Sequence, residues 1–434
     1  MGLKIALVSP YYLFLEGFRL SEDAEINAFL AEKARFHRAY SPSDSLLQIA
    51  AITPPEHKLV YMDDQFANIN THADIDIAAF TVTTISAPRA YKLAQKFKKN
   101  GIYTIMGGVH PTFCPDEAKK FADTIVIGDA DIAWRQFLKD FEKGKPKKVY
   151  EQGCVADIKN LPKPKIGLLS KKWYYRKIFN KEAYTIFTTF GCNRFCKFCV
   201  NCLKPGYGKI HKKKLSQIEA EIQQVAAYSN NFIIIFCDDN CFIDLDHMSD
   251  IIKMLTRMKI RWVAPGDIAV ANHPKVLKLI EKSDCALLCV GFESLKKENL
   301  KWVAPWKAKF IDTYKERIGI FRDYGINITG SFIAGFEHDT DSVFREIFDF
   351  SMESKLTTTV VGIATPYPGT PFRDDLIQKG LLNKKAGWDM YTGMNLLYKH
   401  PKIEKQKLYS ELLWFLKEVE KPYVQNHLNS ITFR

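Results

Sequence analysis

The sequence contains no uninterrupted apolar run of the about 20 residues that a helix needs to cross a bilayer. Residues 1–8 are mostly apolar but lead directly into Ser9 and Pro10, so they are too short for the core of a signal peptide. They predict a buried first strand instead. With no transmembrane segment and no secretory signal expected, the predicted location of the chain is the cytoplasm.

Acidic residues are fewer than basic ones, with 49 Asp and Glu against 62 Lys and Arg and a net charge of +13. Such a balance is compatible with a nucleic acid, an anionic lipid or a phosphorylated substrate. The basic residues are spread along the chain, however, and no homeodomain, zinc-finger or RNA-recognition pattern accompanies them. A lysine-rich solvated surface is therefore predicted, and no nucleic-acid partner is expected.

The cysteines do not predict a disulfide framework. Seven of the ten lie alone or in loose pairs, and such cysteines stay reduced in a chain without a secretory signal. We expect most of them to act as small buried apolar residues. The other three, Cys192, Cys196 and Cys199, form a tight cluster with a separate purpose.

The chain is long enough for two or three domains. Residues 1–145 alternate apolar strands, at 4–8, 58–62, 75–82, 103–106 and 124–127, with helical segments such as 90–99. This pattern indicates an α/β fold with a doubly wound parallel sheet, in which ligands bind at the carboxyl ends of the strands. Those ends carry Ser9, Thr83, Thr84, Gly107, Gly108 and Gly128. Glycines there admit a bulky ligand, although tight turns alone would explain them as well.

A second alternating series follows a linker at residues 146–182, whose centre, 161–165, is rich in proline. Six strands are predicted, at 184–190, 232–237, 261–264, 286–291, 327–333 and 358–363. Helical segments separate them, so residues 183–371 are predicted to form a partial (β/α)6 barrel. Residues 372–434 are predicted to be a helical C-terminal region.

The cysteine cluster directly follows the first strand of this second series. Thiolates spaced by three and then two residues can bind three corners of an iron–sulfur cubane, most of which have four protein ligands. Three ligands leave one iron open to a small molecule, as catalytic metal sites do. The alternative is a zinc site completed by Cys202 or His211.

The position of this CxxxCxxC loop, with Phe198 before its last cysteine, strongly resembles the radical S-adenosylmethionine (SAM) superfamily. Segments 236–240, 290–294, 330–340 and 365–371, at the ends of later strands, are similar to its SAM-binding turns. The resemblance implies that Cys192, Cys196 and Cys199 bind a [4Fe–4S] cluster. It also implies SAM contacts from Phe198, Asp238, Asp239, Glu293, Ser294 and Gly335. The carboxylates among them could instead cap the following helices.

The resemblance implies a defined chemistry. SAM binds the open iron, and an electron supplied by a reductant such as flavodoxin or ferredoxin cleaves SAM to a 5′-deoxyadenosyl radical. That radical then abstracts a hydrogen atom from the substrate. In such enzymes the cofactor performs the difficult step, while the protein positions it and excludes water.

The N-terminal half resembles the B12-binding domain of cobalamin-dependent radical SAM enzymes at segments 41–47, 60–64, 106–112 and 122–131. Asp129 and Asp131 stand where those relatives usually have glutamates. The Asp-x-His-x-x-Gly motif that supplies a cobalt ligand does not follow the first strand, and His110 is wrongly placed for that role. The resemblance therefore implies cobalamin bound without a histidine ligand, by the strand-end residues Ser9, Thr83, Thr84, Gly107, Gly108 and Gly128. The alternative is a domain that has lost cobalamin.

The predicted function is cobalamin-dependent methylation of an unactivated carbon in a small-molecule or lipid substrate. A radical rearrangement or cyclisation without methyl transfer is the main alternative. A methylthiotransferase would need three cysteines before the barrel for a second cluster, and only Cys114 and Cys154 precede Cys192. A non-catalytic metal-binding module for nucleic acid does not account for the six-strand series.

Overall fold

The computed structural model describes residues 2–11, 21–36, 43–153, 158–169 and 177–421. Ser41, Pro42 and Cys154 lie outside these ranges. Within them the chain forms two successive sheets, each built from parallel strands with helices between them. None of the helices in these ranges is both long and apolar enough to cross a membrane.

The first sheet has six parallel strands in the order β2-β1-β3-β4-β5-β6. They are β1 (Lys4–Ser9), β2 (Lys58–Asp63), β3 (Ile77–Thr81), β4 (Tyr103–Gly107), β5 (Thr124–Gly128) and β6 (Val149–Gln152). The order reverses at β1, which confirms the predicted doubly wound topology and opens a crevice at the carboxyl ends of β1 and β3. The strand β6 lies within the stretch predicted as a linker and pairs with β5.

Both faces of this sheet are buried because successive side chains of a strand point to opposite sides. Ala6 and Val8 join one core cluster, while Ile5 and Leu7 join the other. The first face is covered by the helix at residues 87–99 and the second by the helices at residues 44–52 and 131–142. The helices of this half are α1 (Ala24–Phe36), α2 (Asp44–Ile52), α3 (Ala87–Lys99), α4 (Val109–Phe113), α5 (Pro115–Ala118) and α6 (Asp131–Glu142).

The second sheet has the order β15-β14-β13-β12-β11-β8-β7, with only β7 antiparallel. Its strands are β7 (Lys177–Ile178), β8 (Lys181–Ile186), β11 (Phe232–Phe236), β12 (Trp262–Gly266), β13 (Cys285–Glu293), β14 (Ile328–Ala334) and β15 (Thr358–Ile363). A separate short ribbon pairs β9 (Thr189–Phe190) with β10 (His211–Lys212). The six parallel strands confirm the partial barrel.

The strand predicted at 184–190 is interrupted. It divides into β8 and β9 because the N–H groups of Thr188 and Thr189 donate to the Asp238 carboxylate rather than to a neighbouring strand. This break turns the chain toward Gly191 and the cysteines.

Helices pack on the outer face of the second sheet around one large core that includes Trp262, Leu288 and Phe332. They are α7 (Leu215–Tyr228), α8 (Leu245–Met258), α9 (Pro274–Lys282), α10 (Lys297–Val303), α11 (Pro305–Ala308), α12 (Tyr314–Asp323) and α13 (Val343–Ser354). The C-terminal region adds α14 (Pro371–Gln378) and α15 (Lys405–Val419). The stretch between them is irregular, with one bridge from Leu382 to Tyr398.

The two sheets are held against each other by side-chain contacts. Thr185, at the end of β8, donates to the Asp44 carboxylate over 2.9 Å. The Trp388 indole N–H of the C-terminal region donates to Glu117 over 2.9 Å. The Tyr207 hydroxyl donates to Asp129 over 2.8 Å. The carboxyl edge of the first sheet therefore faces the second sheet.

Candidate active site between the two sheets

A cavity of about 560 Å³ lies between the two sheets. Four of the six residues predicted for cobalamin line it: Thr83, Gly107, Gly108 and Gly128. Ser9 and Thr84 are buried beside it but do not reach its wall. The opposite wall includes Asp239 and the stacked rings of Phe187 and Phe190, whose centroids are 5.5 Å apart. One cavity thus joins the strand ends of the first sheet to residues of the barrel.

The glycines of this cavity have reasons within the protein. Gly108 has φ of 110°, and a Cβ there would lie 2.7 Å from the Val82 carbonyl oxygen. Gly128 has φ of 83°, and a Cβ there would overlap the Gln152 carbonyl oxygen. Close backbone packing therefore requires both glycines whether or not a ligand is present. The cavity, rather than the glycines, supports a ligand site.

Adjacent glycines provide a matched test of this packing. We expect Gly108→Ala to lower the free energy of unfolding by about 1–3 kcal/mol, because alanine is strained at that φ and meets the backbone of Val82. Gly107→Ala should change it by less than about 0.5 kcal/mol, since its Cβ would lie 3.6 Å from Val126. Equilibrium urea unfolding of both variants measures the difference. Equal losses would show that the two positions do not differ in this way.

The cysteine loop is fixed by backbone hydrogen bonds. The Cys192 N–H donates to the Tyr207 carbonyl over 2.9 Å, and the Lys197 N–H donates to the Val303 carbonyl over 2.8 Å. On the other side, the Phe372 N–H donates to the Lys197 carbonyl over 3.0 Å. The loop is therefore held between Tyr207, the end of α10 and the start of α14.

The three thiols of the loop are free, half-buried and close enough to influence one another. Burial raises the pKa of Cys192 to about 11, with the charges of Asp239, Cys196 and Cys199 adding to the increase. Hydrogen bonding from Cys202 lowers the pKa of Cys199 to about 7. The loop thus concentrates soft donors in a partly desolvated place, which suits an iron–sulfur cluster.

The two alternative zinc ligands have partners of their own. The Cys202 thiol lies 3.6 Å from the Cys199 carbonyl oxygen, and a His211 ring nitrogen lies 3.3 Å from the Gly206 carbonyl oxygen. Three thiols from one loop suit a cubane cluster, which binds each cysteine at a different iron and leaves the fourth iron open.

Asp238 and Asp239 have different surroundings. Asp238 is buried and accepts hydrogen bonds from the Thr188 and Thr189 hydroxyls, over 2.7 and 2.6 Å, as well as from their N–H groups. Asp239 accepts one from the Asn201 amide over 2.7 Å and lines the cavity. Burial raises its pKa, and its charge acts on Cys192. Asp239 therefore lines the cavity within electrostatic reach of Cys192, while Asp238 holds the strand end that precedes the cysteines.

Glu293 ends β13 with φ of 65°, a left-handed conformation that is costly for glutamate. Its carboxylate pairs with the buried Lys307 ammonium, which also donates to the Gly291 carbonyl over 2.7 Å. Both charges act on the Cys196 thiol. Sequence reasoning missed Lys307, because no local pattern marks a lysine of α11 as buried.

The remaining predicted SAM residues belong to a buried network. The Ser294 hydroxyl accepts from the Asn299 amide over 3.2 Å, and the same amide donates to Asp339 over 2.7 Å. Asp339 in turn accepts the Gly335 N–H over 2.8 Å, and burial raises its pKa to about 7. The network ties the end of β13 to the turn after β14. Phe198 lies nearby, with its ring 6.0 Å from that of Phe336.

A buried ion pair also lines the cavity, on the side of the second sheet. The Lys213 ammonium lies 2.6 Å from the Glu221 carboxylate, with side chains only 3% and 6% exposed. Asp44 lies close enough for both charges to act on it, and burial raises its pKa to about 6. None of the three was predicted, since the run at 212–214 resembles an ordinary solvated lysine run.

Residues 186–351 match the family model of the Radical SAM superfamily. Residues 186–351 of this chain therefore form a radical SAM domain. The matched segment extends from the end of β8 into α13, so it includes the cysteine loop, Asp239 and Glu293. The CxxxCxxC loop therefore lies within a radical SAM domain.

Similarity to known proteins extends beyond this domain. The bacteriochlorophyllide d C-12(1)-methyltransferase of Chlorobaculum tepidum is 24% identical over 384 residues, which cover 87% of this chain and 82% of that one. The C-8(2)-methyltransferase of the same organism is 26% identical and covers 91% of this chain and 86% of its own. Both alignments are too long for the radical SAM domain alone and include residues of the first sheet.

Among solved structures, the radical SAM methyltransferase TsrM of Kitasatospora setae, with cobalamin and a [4Fe–4S] cluster bound, superposes with a TM-score of 0.70. The superposition covers 98% of this chain and 90% of TsrM at 12% identity. The two proteins therefore share the fold of both sheets.

Proposed function

We propose that this radical SAM protein is a cobalamin-dependent methyltransferase that acts on an unactivated carbon of a small-molecule or lipid substrate. The observation that carries the proposal is the cavity shared by the two sheets. Its one wall is formed by the strand ends of a doubly wound sheet, where ligands of such sheets bind. Its other wall includes Asp239, whose charge acts on the cysteine loop. A corrinoid there would lie next to a SAM-binding cluster.

Cys192, Cys196 and Cys199 would hold the cluster, and the open iron would receive SAM. When bound, these cofactors supply one-electron cleavage of SAM and a methyl group carried on cobalt. Asp239 is positioned to accept a hydrogen bond from a bound amino group, since it lines the cavity and its charge acts on Cys192. Glu293, held by Lys307 close to Cys196, is positioned to contact the polar part of SAM.

Other residues would orient the cofactors and exclude water. Asp238 fixes the chain before Gly191, so it acts as a positioning residue for the loop. Phe198, the Gly335 turn and the network at Asp339 would form an apolar and rigid place for adenine. Phe187 and Phe190 present apolar rings to the cavity, which would shield a reactive carbon radical from solvent.

The names of the relatives support methyl transfer. Both Chlorobaculum tepidum proteins are methyltransferases of bacteriochlorophyllide, and TsrM is a radical SAM methyltransferase. A cavity with aromatic walls is compatible with a substrate that is largely apolar. A flavodoxin- or ferredoxin-type protein would supply electrons.

Anaerobic reconstitution tests the proposal. Protein supplied with iron, sulfide and cobalamin should show the absorption of both a cluster and a stoichiometric corrinoid. With SAM labelled in its methyl group and candidate tetrapyrrole and lipid substrates, the label should appear in the product together with 5′-deoxyadenosine. Product formed without label would favour rearrangement or cyclisation. Failure to bind corrinoid would overturn the assignment of the cavity.

A further inference from the structure

An exposed phenylalanine lies between two of the cluster cysteines. Phe195 is 53% exposed, whereas Cys192 and Cys196 on either side are half-buried. Its φ of 47° is in the left-handed region, which bulky residues rarely adopt. The ring packs on Gly208, where an added Cβ would lie 2.9 Å from it. The fold thus keeps a large apolar ring at the surface of the cysteine loop at a cost in backbone strain.

The surface around this ring is basic. Residues 191–218 contain no Asp or Glu and, besides the buried Lys213, include the six basic residues Arg194, Lys197, Lys204, Lys209, Lys212 and Lys214. The hydrogen bond from the Lys197 N–H to Val303 places the end of α10, which carries the exposed Lys301, beside the loop. We call Phe195, Lys197, Lys209 and Lys301 the entry patch.

The lysines of the entry patch are available to a partner. Across the described residues, no carboxylate lies within ion-pair distance of Lys197, Lys209 or Lys301. The Lys197 ammonium lies over the Trp302 ring, 4.7 Å from its centroid, which keeps that side chain against the loop. An apolar centre with a charged rim is the usual composition of a protein-binding surface.

We infer that the entry patch is the docking surface for a small acidic electron-carrier protein, which rests on the proposed function. Phe195 and Lys197 belong to the cysteine loop itself, so a carrier seated on the patch would lie close to the cluster. One electron would leave the reduced carrier and reduce the cluster, with no bond or proton transferred. Redox encounters of this kind are small, weak and steered by opposite charge. The lysines of the entry patch would complement the charge of an acidic partner.

Binding of a bacterial flavodoxin to the purified full chain tests the inference directly. We expect Lys209→Glu/Lys301→Glu to raise its Kd about tenfold at low ionic strength, and the difference to shrink as salt is added. The control Lys139→Glu/Lys143→Glu changes net charge equally on exposed lysines at the end of α6 and should change Kd less than about twofold. Phe195→Asn should weaken binding with little change in salt dependence, because it removes an apolar ring without changing the charge. Asparagine is chosen because it tolerates the left-handed backbone at this position.

Reduction by dithionite, which needs no docking surface, distinguishes this inference from the proposed function. The lysine variant should cleave SAM at the wild-type rate with dithionite but at least about fivefold more slowly with limiting flavodoxin hydroquinone. Equal weakening by the α6 control, or unchanged flavodoxin affinity in the patch variant, would overturn the inference. Wild-type protein that fails to cleave SAM with dithionite would instead contradict the proposed function, and the affinity measurements would still decide the docking surface.

Discussion

Replacing Cys192, Cys196 or Cys199 singly with alanine is expected to abolish SAM cleavage and the absorption of the cluster. Each of these thiols would bind a different iron, so the loss of one leaves a second iron without a protein ligand. Iron content after reconstitution should fall from about four atoms per chain to a small fraction of that. Iron and sulfide analysis, together with the yield of 5′-deoxyadenosine, measures the effect.

Cys202 offers the matched control. It is buried, lies close to Cys199 and has its thiol 3.6 Å from the Cys199 carbonyl oxygen. Because a cubane in this loop needs only three cysteines, Cys202→Ala should retain the cluster and most of the activity. If Cys202→Ala lost its metal as completely as the other variants, and the wild-type protein held one zinc ion, the zinc alternative would be correct.

Much of the fold could be predicted from the sequence because its periodicities are local. Alternating short apolar strands and amphipathic helices predicted both sheets, and the observed order around β1 confirms the doubly wound topology. The strand predicted at 184–190 was wrong in its continuity, however. The break comes from Asp238, about 50 residues away, which takes the N–H groups of Thr188 and Thr189. A contact at that separation leaves no mark on local periodicity.

The candidate site was predictable to the extent that it is written in contiguous motifs. The cysteine loop follows from its spacing and its place after a strand, while Asp239 and Glu293 follow from the resemblance of their segments to radical SAM turns. Both carboxylates act electrostatically on the cysteines. The partners of these residues did not follow, because Lys307 becomes a partner of Glu293 only when α11 packs against β13. The different surroundings of Asp238 and Asp239 likewise depend on tertiary packing, since adjacent aspartates are equivalent in a sequence pattern.

Removing the amine of Lys213 is expected to be among the most destabilising single substitutions in this chain. Lys213→Met leaves the Glu221 carboxylate buried without its partner, a change that typically costs about 3–5 kcal/mol. Asp44, whose carboxyl group the ammonium also stabilises, adds to the cost. Urea unfolding at pH 7.5 should show the loss directly.

The pH dependence and a double variant identify the cause of that loss. Burial already raises the pKa of Glu221, and without Lys213 the folded-state pKa rises further above its unfolded value. The folded state then binds a proton more readily than the unfolded state, so the variant should regain stability as pH falls from 7.5 to 5. Lys213→Met/Glu221→Leu should recover most of the loss at pH 7.5, because an apolar pair of similar volume leaves no charge buried. If the double variant were as unstable as the single one, packing around Lys213 rather than charge pairing would explain the effect. In that case the two side chains would matter because they fill space in the wall of the cavity. The amount of corrinoid bound per chain should then fall in both variants.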